Sequence, residues 1–153
     1  MPSLVLASTS IYRRILLDRF GLPFTVAGPD VDESPRPGEP PQALAERLAL
    51  AKAEAVLAGV GDDTWVIGSD QVADCDGSPI GKPGDREGAL AQLRALSGRT
   101  VVFHTGVALV DARSGRCRSE LVDVASTFRA LSDGEIHAYL DREHEGADAV
   151  QSL

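Results

Sequence analysis

The chain has 153 residues, of which 43% are apolar and 25% charged, ordinary values for a soluble globular protein that exclude collagen-like, coiled-coil and fully disordered readings. Fifteen Lys and Arg stand against 23 Asp and Glu, for a net charge of −8. That balance disfavours sequence-independent binding to a nucleic-acid backbone, though a local basic pocket for a small anion remains open. No run approaches the roughly 20 apolar residues of a membrane helix, and Met1 to Leu6 lacks the basic start of a secretory signal. Two cysteines, Cys75 and Cys117, allow one bridge at most in a chain large enough not to need it. A reducing cytoplasmic setting is the simpler expectation.

In chain order, Ser3 to Ala7 reads as a short buried strand, followed by the hydroxyl-rich turn Ser8-Thr9-Ser10. Ile15, Leu16 and Phe20 then recur at helical spacing over 11–20, with Gly21 as a stop. Pro23 to Ala27 reads as a second strand, and the proline-rich, acidic stretch 28–41 as a loop. Residues 40–57 give the strongest helix signal: prolines in the first turn and an apolar stripe of Leu44, Leu48, Ala51 and Ala55. Thr64 to Val72 reads as a central strand, Asp76-Gly77 as a turn and 81–84 as a loop. Asp85 caps a predicted helix to Leu96, ended by Ser97-Gly98. Residues 101–111 and 117–128 flank Arg113-Ser114-Gly115 as a long antiparallel hairpin. Ser132 to Glu135 forms a capping box opening a helix to about Tyr139. Glu143 to Leu153 shows no clear element.

Several residues carry candidate chemistry. A strand followed by small hydroxylated residues at a helix start suits an anion: free N–H groups and the helix dipole favour phosphate, Ser8 and Ser10 add donors, and Arg13 can reach back. The plainer alternative is N-capping beside solvated arginines. Asp70, in Ile67-Gly68-Ser69-Asp70-Gln71-Val72, is costly to bury as a carboxylate unless a cation accompanies it. It is a candidate metal ligand or general base, against a solvated strand end or an Asp paired with Arg. Lys52 lies at the edge of the apolar stripe, where it either snorkels to solvent or points into a cleft. Lys82, between Gly81 and Pro83, sets one ammonium on a rigid loop, and Glu33 sits in the acidic loop Asp30 to Pro35. His104, His137 and His144 lack metal-ligand spacing, and neither a P-loop nor GxGxxG occurs.

Taken in order, the segments 6–17, Asp32-Glu33-Ser34, Leu48 to Ala53, Ile67 to Val72, Gly81-Lys82-Pro83 and Leu96-Ser97-Gly98 resemble the Maf family of nucleotide pyrophosphatases. The resemblance runs from about residue 3 to residue 144. It implies an α/β, ITPase-like fold: a bent mixed sheet flanked by helices, in two lobes around a cleft. It also implies hydrolysis of a nucleoside triphosphate to the monophosphate and diphosphate with a divalent cation, magnesium or manganese, in a house-cleaning role against modified nucleotides. On the matching positions Asp70 would accept the proton of the attacking water. Ser8, Ser10, Arg13, Lys52 and Lys82 would hold the triphosphate, and Glu33 with Asp70 the metal. Tyr12 and Gln71 resemble the 7-methyl-GTP subgroup, where the pyrimidine group has Arg and Thr. An aromatic face at position 12 can attract the positively charged 7-methylguanine, which an Arg would repel.

The expected architecture is thus one Maf-like domain over 1–153, truncated or divergent after about residue 144, since Glu143 to Leu153 does not match the family's usual continuation. The partner implied is a nucleoside triphosphate, with no nucleic acid and no membrane; a homodimer remains open. The alternatives are a dTTP/UTP pyrophosphatase of the same family, or a catalytically impaired nucleotide-binding or regulatory protein.

Overall fold

The structure, a computed structural model, describes residues 2–81 and 83–142. The fold is mixed α/β, a six-stranded sheet flanked by helices. Its elements are β1 (Ser3–Ala7), α1 (Ile11–Asp18), β2 (Thr25–Ala27), α2 (Pro41–Leu57), β3 (Thr64–Cys75), β4 (Ser78–Ile80), α3 (Arg86–Leu96), β5 (Thr100–Asp111), β6 (Cys117–Thr127) and α4 (Asp133–Arg142). The strands run in the order β2-β1-β3-β5-β6, with β4 paired to β3. The described residues divide into two compact units, one within 2–72 and 104–123, the other within 73–103 and 124–142.

In the first unit β1 lies parallel between β2 and β3, with Val5 beside Val66 and Ala7 beside Gly68. Alternation on β3 sends Val66, Gly68, Asp70 and Val72 to one face, all of them buried. Helix α2 covers that face. Its Ala53 and Val56 pack with Val5, Ala7, Val66 and Val110, while Leu44, Ala45 and Leu48 pack with Val72. The stripe that α2 buries is Pro41, Leu44, Ala45, Leu48, Ala49, Lys52, Ala53 and Val56. This corrects the sequence expectation: Ala55 is exposed, and Lys52 lies within the buried face, not at its edge. Alanines on several sides of the helix made the apolar face ambiguous.

Two glycines allow the helix its close approach. A Cβ on Gly68 would fall inside contact distance of the Ala49 carbonyl oxygen and 2.7 Å from the Ala53 nitrogen, and one on Gly106 would meet the Ala45 carbonyl oxygen at 2.6 Å.

The second unit buries Ala89 and Leu93 of α3 against Ile136 and Leu140 of α4. Asp85 caps α3, accepting from the Gly88 N–H at 2.7 Å. Ser132 accepts from the Glu135 N–H at 3.2 Å, as the capping box required. Bidentate bonds from Arg94 to Asp133 tie the two helices on the outside, and Arg94 holds the Asp133 carboxyl below its ordinary range.

Several boundaries differ from the sequence reading. Helix α1 stops at Asp18, and Gly21 adopts a left-handed φ of 71° just beyond. Strand β3 continues to Cys75 and turns at Asp76-Gly77 into β4, which the sequence reading missed. The turn needs left-handed backbone at both positions, φ 54° and 85°. Helix α4 runs three residues past the expected Tyr139. Cys75 and Cys117 are both free. The Glu143 to Leu153 expectation lies outside the described residues.

Candidate active site

The parallel pairing of β1 with β3 decides where the site can form. β1 ends at Ala7, in register with Gly68, so the turn of Ser8 to Ser10 leaves the sheet beside the segment of β3 that holds Ser69 and Asp70. Open α/β sheets bind ligands at the carboxyl ends of parallel strands, where loops and helix N-termini gather. Ser8 is buried, and its Oγ accepts from the Ser10 N–H at 3.0 Å. Ser10 is the N-cap of α1, its Oγ accepting from the Arg13 N–H at 3.3 Å. Both hydroxyls therefore cap backbone donors, the plainer of the two sequence readings, and they do so at the helix N-terminus that would face an anion. Arg13 is half-buried and Tyr12 is exposed on the same helix.

Asp70 and Lys52 are the charged centre. Asp70 is 7% exposed and Lys52 8%. Lys52 Nζ donates to Asp70 Oδ1 at 2.8 Å and lies 2.8 Å from Glu33 Oε1. An isolated carboxylate or ammonium at that depth would be costly; each is the other's compensation. Asp70 is thus neither at a solvated strand end nor paired with an Arg, but buried against Lys52, and Lys52 does not snorkel to solvent. Glu33 comes from the loop before α2, its side chain half exposed. Thus residues 33, 52 and 70, far apart in sequence, meet at one ammonium.

Neighbouring bonds set the frame. Ser69 Oγ donates to the Gly106 carbonyl at 2.9 Å. Gln71 points to the exposed side of β3 and donates from Nε2 to Thr105 Oγ1 at 3.0 Å. The loop carrying Glu33 is held by Arg47 of α2, which donates from Nε and Nη2 to the two Glu39 oxygens at 2.6 and 2.9 Å and from Nη2 to the Ser34 carbonyl at 3.1 Å. Sequence reasoning passed over Arg47 and Glu39. Their separation of eight residues across a proline-rich loop carries no local periodicity; the one available signal was a charged pair flanking a helix start. His104, for which sequence spacing suggested no partner, is buried on β5 with Nδ1 at 2.6 Å from Asp123 Oδ1. Lys82 lies outside the described residues.

Arg47, with the Arg36 N–H, lowers the Glu39 pKa from 4.5 to about 2. A carboxylate depressed in the folded state contributes stability that is complete above its unfolded pKa and disappears as pH falls through the folded one. Wild type should therefore lose more stability than Glu39→Gln between pH 4.5 and about 2, read as urea midpoints at stepped pH. Parallel acid limbs for the two proteins would contradict this.

Residues 3–153 match the family profile described as Maf-like protein. The chain belongs to the Maf family. The match covers all the site residues above and extends beyond residue 144, where the motif resemblance ended. A Polaromonas protein named 7-methyl-GTP pyrophosphatase is 61% identical over 140 residues, covering 92% of this chain and 64% of its own length. Proteins of the same name from Ralstonia nicotianae and Aromatoleum aromaticum are 54% and 56% identical, covering 94% and 92% of this chain and 73% and 72% of their own lengths. This Maf chain thus spans about two thirds of the curated relatives it matches. Among solved structures, the Staphylococcus aureus Ham1 protein shares the fold, with a TM-score of 0.53 at 18% identity over 86% of this chain and 72% of that one.

Proposed function

We propose that this Maf chain carries the site of a nucleoside triphosphate pyrophosphatase that takes a 7-methylated GTP and releases the monophosphate and diphosphate. The observation that carries the reading is the buried Asp70–Lys52 pair, joined by Glu33, beside the Ser8–Ser10 turn. The names of the relatives above supply the substrate class.

In this reading Asp70 takes a proton from water as its oxygen forms a bond to the α-phosphorus. The bond from that phosphorus to the bridging oxygen breaks, and the diphosphate leaves with its electron pair. Lys52 and Arg13 offset the charge that accumulates on the leaving group, and the N-terminus of α1 offers its dipole to the same phosphates. Lys82 joins them by the family resemblance.

Glu33 and Asp70 fit a divalent cation: two hard carboxylates converge on one positively charged point, and such ions commonly take one or two carboxylates with phosphate oxygens and water. Among the described residues no three acidic, His or Cys groups gather, so substrate oxygens and water would complete the coordination. When bound, magnesium or manganese would neutralise triphosphate charge.

Tyr12 and Gln71 would read the base. The exposed Tyr12 ring offers a face to the cationic 7-methylguanine, while Gln71 presents an amide whose nitrogen is already committed to Thr105. The substrate panel tests this: kcat/KM for 7-methyl-GTP is expected to exceed that for GTP, UTP and dTTP by about tenfold or more, and Tyr12→Leu to reduce that preference by roughly three- to thirtyfold, the worth of a partly desolvated cation–π contact. A preference for UTP or dTTP would overturn the substrate assignment. We further propose a cytoplasmic role in clearing modified nucleotides. No helix among the described residues is long and apolar enough to cross a membrane.

A further inference from the structure

Glu33 reaches Lys52 from a loop, and its side chain is 54% exposed. A half-exposed ion pair holds a long side chain weakly, and ordering each loop residue costs conformational entropy. Something else must keep that loop against α2. One guanidinium does so at two points. Arg47 grips both oxygens of Glu39 at the end of the loop, and the same Nη2 donates to the carbonyl of Ser34, the residue after Glu33. Glu39 also accepts from the Arg36 N–H at 3.1 Å. Glu33 is thereby fixed between the tie at Ser34 and its own pair with Lys52. The Arg47 and Glu39 side chains are largely buried, 22% and 10% exposed, so the bond is sheltered from solvent screening.

We infer that Arg47 and Glu39 are positioning residues, which hold the Glu33 carboxylate at the Lys52–Asp70 pair. The inference rests on the proposed role of Glu33 at the phosphates and cation. Arg is required because a planar fork must serve a carboxylate and a carbonyl together; a Lys at 47 offers a point charge without that geometry.

The test has two arms. In ligand-free protein, Arg47→Lys and Glu39→Gln are expected to raise amide exchange over residues 33–39 about tenfold, while α2 and β3 change less than about twofold. Unchanged exchange in the loop overturns the inference. The second arm is a double-mutant cycle on Mn²⁺ affinity, read by electron paramagnetic resonance without turnover and then as the Mn²⁺ concentration for half-maximal pyrophosphate release. Arg47→Lys is expected to weaken Mn²⁺ about fivefold in wild type and less than about twofold in the Glu33→Gln background, because it acts through Glu33. Equal effects in the two backgrounds overturn it. If wild type releases no pyrophosphate from any nucleoside triphosphate, the proposed function fails, and exchange and Mn²⁺ binding still decide the positioning role.

Discussion

Asp70→Asn is expected to lower kcat for pyrophosphate release by about 10²- to 10⁴-fold, the usual contribution of a positioned general base. The substitution is nearly isosteric. An amide oxygen can still accept from Lys52, and Lys52 keeps its pair with Glu33, so the fold should survive with a modest shift in Tm. KM should change less than kcat, because the amide removes the proposed proton acceptor while the cations proposed to hold phosphate stay in place. Activity within tenfold of wild type would remove Asp70 from the proposed mechanism.

Lys52→Met separates the two roles of the pair. It leaves Asp70 buried as a carboxylate without its ammonium, and removing one partner of a buried pair typically costs about 3–5 kcal/mol. Asp70→Asn therefore loses activity with little stability, whereas Lys52→Met loses both. The double variant should regain part of the stability and none of the activity, since the residues are in contact and their effects cannot add. Additive losses in Tm would show that Asp70 does not depend on the Lys52 ammonium for its compensation.

How much of this could be read from residues alone depends on how local the cause is. Strand β1, helix α3 and the hairpin of β5 and β6 follow from short-range patterning and caps, and the sequence places them within a residue or so. Helix α2 was recognised but turned incorrectly, because alanine on several sides leaves the apolar face to be chosen by what packs on it. Helix α1 shows the reverse. Its Ile15 and Leu16 suggest a buried stripe, yet the helix buries no residue among those described. Of the site, Asp70 was legible from the cost of a carboxylate within an apolar strand. Lys52 was a candidate in its own right, but its pairing with Asp70 was not legible, since the spacing of 18 residues between them means nothing until α2 is laid on β3. The bond of Arg47 to Glu39 likewise forms only when the loop before α2 folds back on the helix, which local spacing does not announce.

Gly68→Ala is expected to damage the protein more than its single added methyl suggests. On β3, Gly68 lies two residues before Asp70 and on the same face. Helix α2 lies close against it: the added Cβ would collide with the Ala49 carbonyl oxygen and stand 2.7 Å from the Ala53 nitrogen and 2.9 Å from its Cβ. Two of those three atoms are helix backbone, so no rotamer change relieves the overlap; the helix must move as a body. Overpacking of this kind reaches about 3 kcal/mol, which for a chain of this size is roughly 6–12 °C in Tm. The displaced helix carries Lys52, so in the proposed mechanism phosphate binding and the approach to Asp70 should suffer together, with KM rising as kcat falls. Ala53→Gly in the Gly68→Ala background removes the Cβ contact but leaves the clash with the Ala49 carbonyl, and should rescue little. Full rescue would mean that side chains set the approach of α2, and the close backbone packing argued above would be wrong.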